Sequence, residues 1–456
     1  MSMRKYLLSF IICHFSFIHA QAQRQWTLDE CMDYAIEHNT EIRHLLHEQQ
    51  RRQINVQSSK DARLPQFNGD VGGYVGTFYH SGDGNRFDAT ESLLNMGLSG
   101  AVPLYTGNRL SSQIKASKYS LLAATQDVHS AKKNIKVQVT AAYLQLLYDK
   151  GEVLIAQQRQ EVSQLLLKQA SSLFDRGKRP MSDVVEAKAM VSRDDALLAA
   201  AEGDVALAKL DLKLLLNLPD SVDFDICEPD DSIAPLSAQL SQELSTVNSH
   251  PAVQSANYTI LQAEQQVKTA RSGYYPTLSL IGKLGTSWAN LDANMSRNGQ
   301  LPIVSSWETF INPNYYFSYD LEWKRKNFFY SFVGLKLSIP IFDAFHTKAR
   351  IRTAKVNYDD AKVALNDAQQ HVQKEIQQAW QGALNAQKRY EAEVKSQEAN
   401  ELAYHYALKR YDTGMNTIFD LNQSRQQWFT ASENTLRMKY EYIIRMKILE
   451  ILTEQQ

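Results

Sequence analysis

Hydrophobic and polar positions alternate on two different periods in this chain. Ile114, Leu121, Val128, Ile135 and Ala142 recur every seven residues, with Ser117, Ala124 and Ala131 three positions later. The same spacing returns in Ile351, Tyr358, Leu365, Val372 and Ala379, with Ala354, Ala361 and Ala368 behind them. An a/d heptad of this kind predicts helices packed along one seam, and small residues at d let the helix axes approach closely. Proline is absent from Thr106 to Phe174 and from Asp343 to Tyr411, and only Gly107, Gly151 and Gly382 interrupt those runs. Each run predicts one helix on the order of 100 Å long. Four segments, Thr27–Ala62, Ser182–Leu216, Leu244–Gly273 and Ile418–Leu452, predict helices of about half that length.

The second period is two residues. Leu94, Met96, Leu98, Gly100 and Val102 share one face, opposed by Leu93, Asn95, Gly97, Ser99 and Ala101. Leu278, Leu280, Gly282 and Leu284 oppose Ser279, Ile281 and Lys283; Val333, Leu335, Leu337 and Ile339 oppose Gly334, Lys336 and Ser338. With 67–80, this predicts four strands. Apolar against small or polar positions over about ten residues is the pattern of a membrane-barrel strand. Aromatic residues gather at the strand ends and beyond, among them Tyr79, Trp288, Trp307, Tyr315, Tyr316, Phe317, Tyr319, Trp323, Phe328 and Phe329, as interfacial girdles require. The strand pattern by itself also fits a soluble β-sandwich with one wet face. In hydrocarbon an open sheet edge leaves backbone groups unsatisfied, so four strands must be completed by further copies: two for eight strands or three for twelve.

The chain contains one plan twice. Val102-Pro103-Leu104-Tyr105 corresponds to Ile339-Pro340-Ile341-Phe342, 237 positions on, and the same shift carries Phe174-Asp175-Arg176-Gly177 onto Tyr411-Asp412-Thr413-Gly414 and Asp183 onto Asp420. Upstream, Asn39 matches His250 and Leu64-Pro65 matches Tyr275-Pro276 at a shift of 211, so the second copy carries 26 extra residues between its strands. The expected organisation is a leader over 1–22, a first repeat over 23–217 and a linking segment over 218–247 with Pro219, Pro229 and Pro235. A second repeat follows over 248–456, with an inserted outer loop at about 290–325. Each repeat reads helix, two strands, long helix, turn and return helix.

The leader follows from Arg4 and Lys5, the apolar run Tyr6–Ile18 and Ala20-Gln21-Ala22 as a small-x-small cleavage site. No later apolar run reaches the length of a membrane helix, so any membrane crossing is by strands. With a net charge of −1, the chain has no electrostatic reason to bind nucleic acid. Cys13 falls in the leader, and Cys31 and Cys227 do not make a disulfide framework; spacing leaves a single bridge between them open, and two packed thiols are expected.

The repeat, with Phe174-Asp175-Arg176-Gly177 and Asp183 matched by Tyr411-Asp412-Thr413-Gly414 and Asp420, resembles the TolC family of outer-membrane efflux channels over about residues 27–452. That resemblance implies a mainly α protein with membrane β. Long antiparallel helical hairpins would form a periplasmic tunnel, and four strands would join a shared 12-stranded outer-membrane barrel in a homotrimer set in outer-membrane lipid. It implies a periplasmic adaptor (membrane fusion) protein and an inner-membrane efflux pump as partners. It implies too that the helix–helix turns form a periplasmic gate involving Gly177, Arg179, Asp183, Tyr411, Gly414 and Asp420. In the family, aspartates at the Asp420 position narrow the entrance, and the Asp183 and Tyr411 positions hydrogen-bond between neighbouring helices. This chain departs from the family's lock: Asn416 stands where an arginine is usual, Gln423 replaces a second aspartate, and Arg179 holds the arginine position of the first half.

Other constellations carry less. His44 and Glu48 are spaced to reach one ion, but the order of residues is not that of a metalloprotease helix, and a solvated helix face is expected. Lys115 and Lys118, with Arg352 and Lys355 in the second copy, read as basic side chains near lipid headgroups or as solvated faces. No phosphate loop or nucleophile elbow is present, and neither a cofactor nor catalysis is expected. The expected function is a passive conduit for small-molecule export. Alternatives are the outer component of type I protein secretion or an envelope-spanning coiled-coil protein without a pore.

Overall fold

The computed structural model describes residues 25–82, 85–219, 222, 224–228, 240–296 and 326–454. The expected leader and residues 297–325 of the expected outer loop lie outside them, as do Trp307, Tyr315, Tyr316, Phe317, Tyr319 and Trp323. The chain divides into two compact units, one of residues 53–119 and 261–360, the other comprising the rest.

The first unit holds the sheet. β2 (Gln66–Gly82), β3 (Asn85–Tyr105), β5 (Thr277–Ser296) and β6 (Lys326–Ser338) run antiparallel in the order β2-β3-β5-β6. The two repeats join where β3 pairs β5, with Leu98 opposite Leu284. β5 continues through Ser296, opposite Arg86, so residues 290–296 extend the ladder where the loop was expected to begin. Within the chain β2 and β6 each have one paired neighbour and form the sheet edges. One face is apolar and uncovered: Phe67, Val71, Leu98, Leu284, Val333 and Leu335 are all exposed, Val333 at 79%. Aromatic rings cover small residues across strands, and a Cβ on Gly100 would lie 2.9 Å from the Phe67 ring.

The helices repeat with matched ends. α3 (Arg109–Asp175) and α7 (His346–Asp412) each contain 67 residues, and α4 (Met181–Leu216) and α8 (Ile418–Thr453) each contain 36. All four pairs of termini coincide under the 237-residue shift. The heptad seams are interior: Val128, Ile135, Val372 and Ala379 are buried.

The first helix of each repeat is broken, against the expectation of continuous helices over Thr27–Ala62 and Leu244–Gly273. α1 (Leu28–His38) starts at a capping box between Thr27 and Glu30 and stops at Asn39, whose φ and ψ of −65° and 132° leave the helical region. The Asn39 Oδ1 then accepts from the amides of Glu41 (2.8 Å) and Ile42 (3.2 Å), starting α2 (Thr40–Asp61). A short polar side chain that offers its backbone neighbours an alternative bond favours a cap over a helix interior. His250 does the same in the second repeat, with φ and ψ of −63° and 134° and its Nδ1 accepting from the Ala252 amide at 3.3 Å. α6 (Pro251–Arg271) follows with proline at its first position, where the missing N–H costs nothing. Among the described residues from 240 onward, α5 (Leu240–Leu244) and a 3-10 turn lie ahead of it.

The second unit packs its helices around two main clusters. One gathers Cys31 and Ala35 of α1, Ile135, Val139 and Tyr143 of α3, and Leu212 and Leu216 of α4. It is sealed by a two-residue parallel ladder between β1 (Gln25–Trp26) and β4 (Asp225–Ile226), which ties the 218–247 segment to the start of the first repeat and which no periodicity announces. The other gathers Leu166 and Ala170 of α3, Ala187 and Met190 of α4, Tyr404 and Tyr411 of α7, and Leu421 and Phe429 of α8. Cys31 and Cys227 are free thiols. No helix among the described residues is long and apolar enough to cross a membrane.

Candidate functional site

The turns joining α3 to α4 and α7 to α8 are built alike. Gly177 has φ +69° and Gly414 has φ +83°, a left-handed conformation that glycine adopts without a Cβ penalty. The Gly177 amide donates to Phe174 O and the Lys178 amide to Leu173 O; the Gly414 amide donates to Tyr411 O and the Met415 amide to Arg410 O. These paired bonds satisfy the last carbonyls of each long helix and stop it.

The return helices then differ, and the difference separates the two aspartates. α8 is capped by Thr417: its Oγ1 accepts from the Asp420 amide (3.2 Å) and donates to Asp420 Oδ2 (2.7 Å), which also accepts from the Thr417 amide (3.1 Å). In α4 the corresponding position is Pro180, which makes no side-chain cap. The Asp183 carboxylate is buried and accepts instead from the Tyr411 hydroxyl at 3.3 Å. Phe174, the counterpart of Tyr411 in the first repeat, has no hydroxyl and is 40% exposed.

Arg179 ties the two turns together. Its Nη2 donates to Tyr411 O at 2.7 Å and to Asn416 O at 3.1 Å, and its guanidinium carbon lies 4.4 Å from the Tyr411 ring centroid. Burial pushes the Tyr411 phenol up to about 12, and the neighbouring Asp183 charge adds to this. Asp420 behaves oppositely. The Thr417 hydroxyl bond holds its carboxyl below the usual range. Within one chain, then, Asp420 serves as a helix cap. The structure brings Arg179, Asp183 and Tyr411 together, while Asp420 bonds to Thr417 at the start of its own helix.

Sequence reasoning missed the ion pair behind this turn. Arg425 of α8 donates to Asp194 of α4 at 2.6 Å, with a longer contact to Arg159 O at 3.4 Å. The side chains of Arg425 and Asp194 are 2% exposed. The Arg425 Nε and the Trp428 Nε1 are buried without partners among the described residues. Asp194 falls on the buried stripe Asp183, Ala187, Met190 and Ala201, at helical spacing. A charge on such a stripe is the signal that was available.

Glu48 pairs with Arg52 at 2.7 Å and with Arg51, and the Arg51 bond lowers its pKa. Among the described residues no group of three histidine, cysteine, aspartate or glutamate side chains is arranged to hold a metal ion.

Known proteins resemble this chain in sequence and in fold. Cation efflux system protein CusC of Escherichia coli O157:H7 is 21% identical, over 86% of this chain and 82% of that protein. Outer membrane protein TolC of Vibrio cholerae is 22% identical, over 85% and 82%. A crystal structure of CusC superposes with a TM-score of 0.75 at 17% identity, covering 94% of this chain and 92% of that one. The model of the outer membrane efflux protein family matches residues 32–218 and 245–452. The chain belongs to that family, and it is an outer-membrane channel component of an efflux system, with its helical tunnel in the periplasm.

Proposed function

We propose that three copies of this chain form one passive conduit, closed at its periplasmic end by the two helix turns and joined through a periplasmic adaptor to an inner-membrane pump. The observation that carries this reading is the four-stranded sheet, with an uncovered apolar face and edges at β2 and β6. Such a sheet is stable in a bilayer only when copies pair their edges into a closed barrel. Three copies give twelve strands, within the range of bacterial barrels. The chain's own contribution to export is conduction, and the energy comes from the pump.

The Arg179, Asp183 and Tyr411 contacts support a gate at the turns, because they join α4 to α7 through bonds that can break without unfolding either helix. Light scattering of the detergent complex and single-channel recording in planar bilayers test the proposal together. A trimer that opens conducting steps is the expected result. A stable folded monomer, or a trimer that carries no current in parent and Arg179→Ala forms alike, overturns it.

A further inference from the structure

Cys31 and Cys227 each follow one strand of the β1–β4 ladder. Cys31 has no exposed surface and lies in α1, one turn beyond Thr27, whose carbonyl its amide engages at 3.0 Å. Cys227 is half-buried and prolongs the β1–β4 ladder, its amide donating to Trp26 O at 3.2 Å. From α3, the fully buried Tyr143 donates its hydroxyl to Trp26 O at 2.9 Å and to Cys227 O at 2.5 Å, and Cys227 Sγ lies 3.8 Å from the same oxygen. Cys31 packs in the same buried cluster as Tyr143 and Ile226, the residue before Cys227, so the two cysteines flank one cluster. Nothing in conduction uses them. The periplasm, where this unit lies, favours disulfides.

We propose that Cys31 and Cys227 are a redox pair, oxidised to a disulfide by an exchange-competent protein disulfide of the periplasm. The half-buried Cys227 thiolate attacks one sulfur of the oxidant, forming a mixed disulfide and releasing the oxidant's other sulfur as a thiolate. Cys31 then gives up its proton and attacks the Cys227 sulfur, forming the Cys31–Cys227 bond and expelling the oxidant's second thiolate. Two electrons and two protons leave the pair, and the oxidant's disulfide becomes a dithiol. Burial holds the Cys31 thiol up at about 12, which suits it to the second attack and not the first. The product ties α1 to the segment between the repeats.

Peptide mapping of the full chain taken from cells tests this, with iodoacetamide added in denaturant before any reductant. The expected result is a linked pair of peptides carrying Cys31 and Cys227, lighter by two hydrogens than the separate thiols and split by dithiothreitol. A Cys31→Ala variant should leave Cys227 alkylated, which shows that the reagent reaches it. Two alkylated cysteines in the parent protein overturn the proposal, whether or not glutathione disulfide joins them afterwards. So does a mixed disulfide on Cys227 with Cys31 free.

Discussion

The Arg425 guanidinium meets the Asp194 carboxylate at 2.6 Å in the interior of the second unit, with α8 supplying the cation and α4 the anion. Removing one partner of such a pair leaves a buried charge uncompensated, at a cost of about 3–5 kcal/mol, whereas replacing both by apolar side chains is close to neutral. Asp194→Asn should therefore lower the thermal midpoint of the helical circular dichroism signal strongly. The double change Asp194→Leu with Arg425→Met should recover most of the loss. A single variant that melts with the parent would show that the pair has no part in holding α4 to α8.

His250 makes stability depend on pH. Burial lowers its pKa from 6.5 to about 4, helped by the positive charge of Lys133. The unfolded chain then binds a proton below pH 6.5 that the folded chain refuses until pH 4, so stability falls as pH drops through that window. Between pH 7 and pH 5 the loss from this group is about 2 kcal/mol. His250→Asn keeps an acceptor for the Ala252 amide and removes the titration. Its melting midpoint should shift less with pH than the parent's, measured in the same detergent.

Tyr411→Phe separates the bond from the packing. The ring remains, so the loss in stability should be small, about 1 kcal/mol for one hydrogen bond. If the contact with Asp183 holds the turns closed, open probability in planar bilayers should rise. Equal open probability in variant and parent would assign the bond to folding alone.

Two substitutions at the second turn distinguish a cap from an entrance. Thr417→Val deletes the hydroxyl that lowers the Asp420 pKa but keeps the carboxylate. It should reduce the midpoint and leave ion preference unchanged. Asp420→Asn removes the charge and should weaken cation preference if three copies line the entrance. The cap also has a pH signature. Because the folded value is depressed, its contribution is present at neutral pH and disappears as pH falls through the folded value. Like charges from neighbouring copies would push the value the other way. Titration of Asp420 by NMR in the assembled channel reads the sign.

Much of this architecture was legible because long helices and their glycine stops leave regular marks. The 237-residue shift found from Val102-Pro103 and Gly177 also places the ends of α3, α4, α7 and α8. The breaks at Asn39 and His250 were less visible: neither residue is a helix breaker by type, and each acts through a side-chain bond to an amide two positions on. Pro251, at the first position of α6, and the match at a shift of 211 were the hints. Arg425 and Asp194 lie 231 positions apart, so the repeat does not align them, and only the packing of α8 on α4 pairs them. At the tip, Thr417-x-x-Asp420 reads as a capping box. That Asp183 is freed for Tyr411 depends on Pro180 offering no acceptor, a consequence seen once both turns are compared.

The matched helix lengths make the two halves unequal in what evolution can change. Side chains can diverge independently, as Thr417 and Pro180 have. Insertions cannot. One added residue inside α7 would advance its end by about 1.5 Å and turn it by about 100°, carrying Tyr411 away from Asp183 unless α3 gained a residue too. Length variation should therefore gather between β5 and β6, and relatives that lengthen one hairpin should lengthen the other.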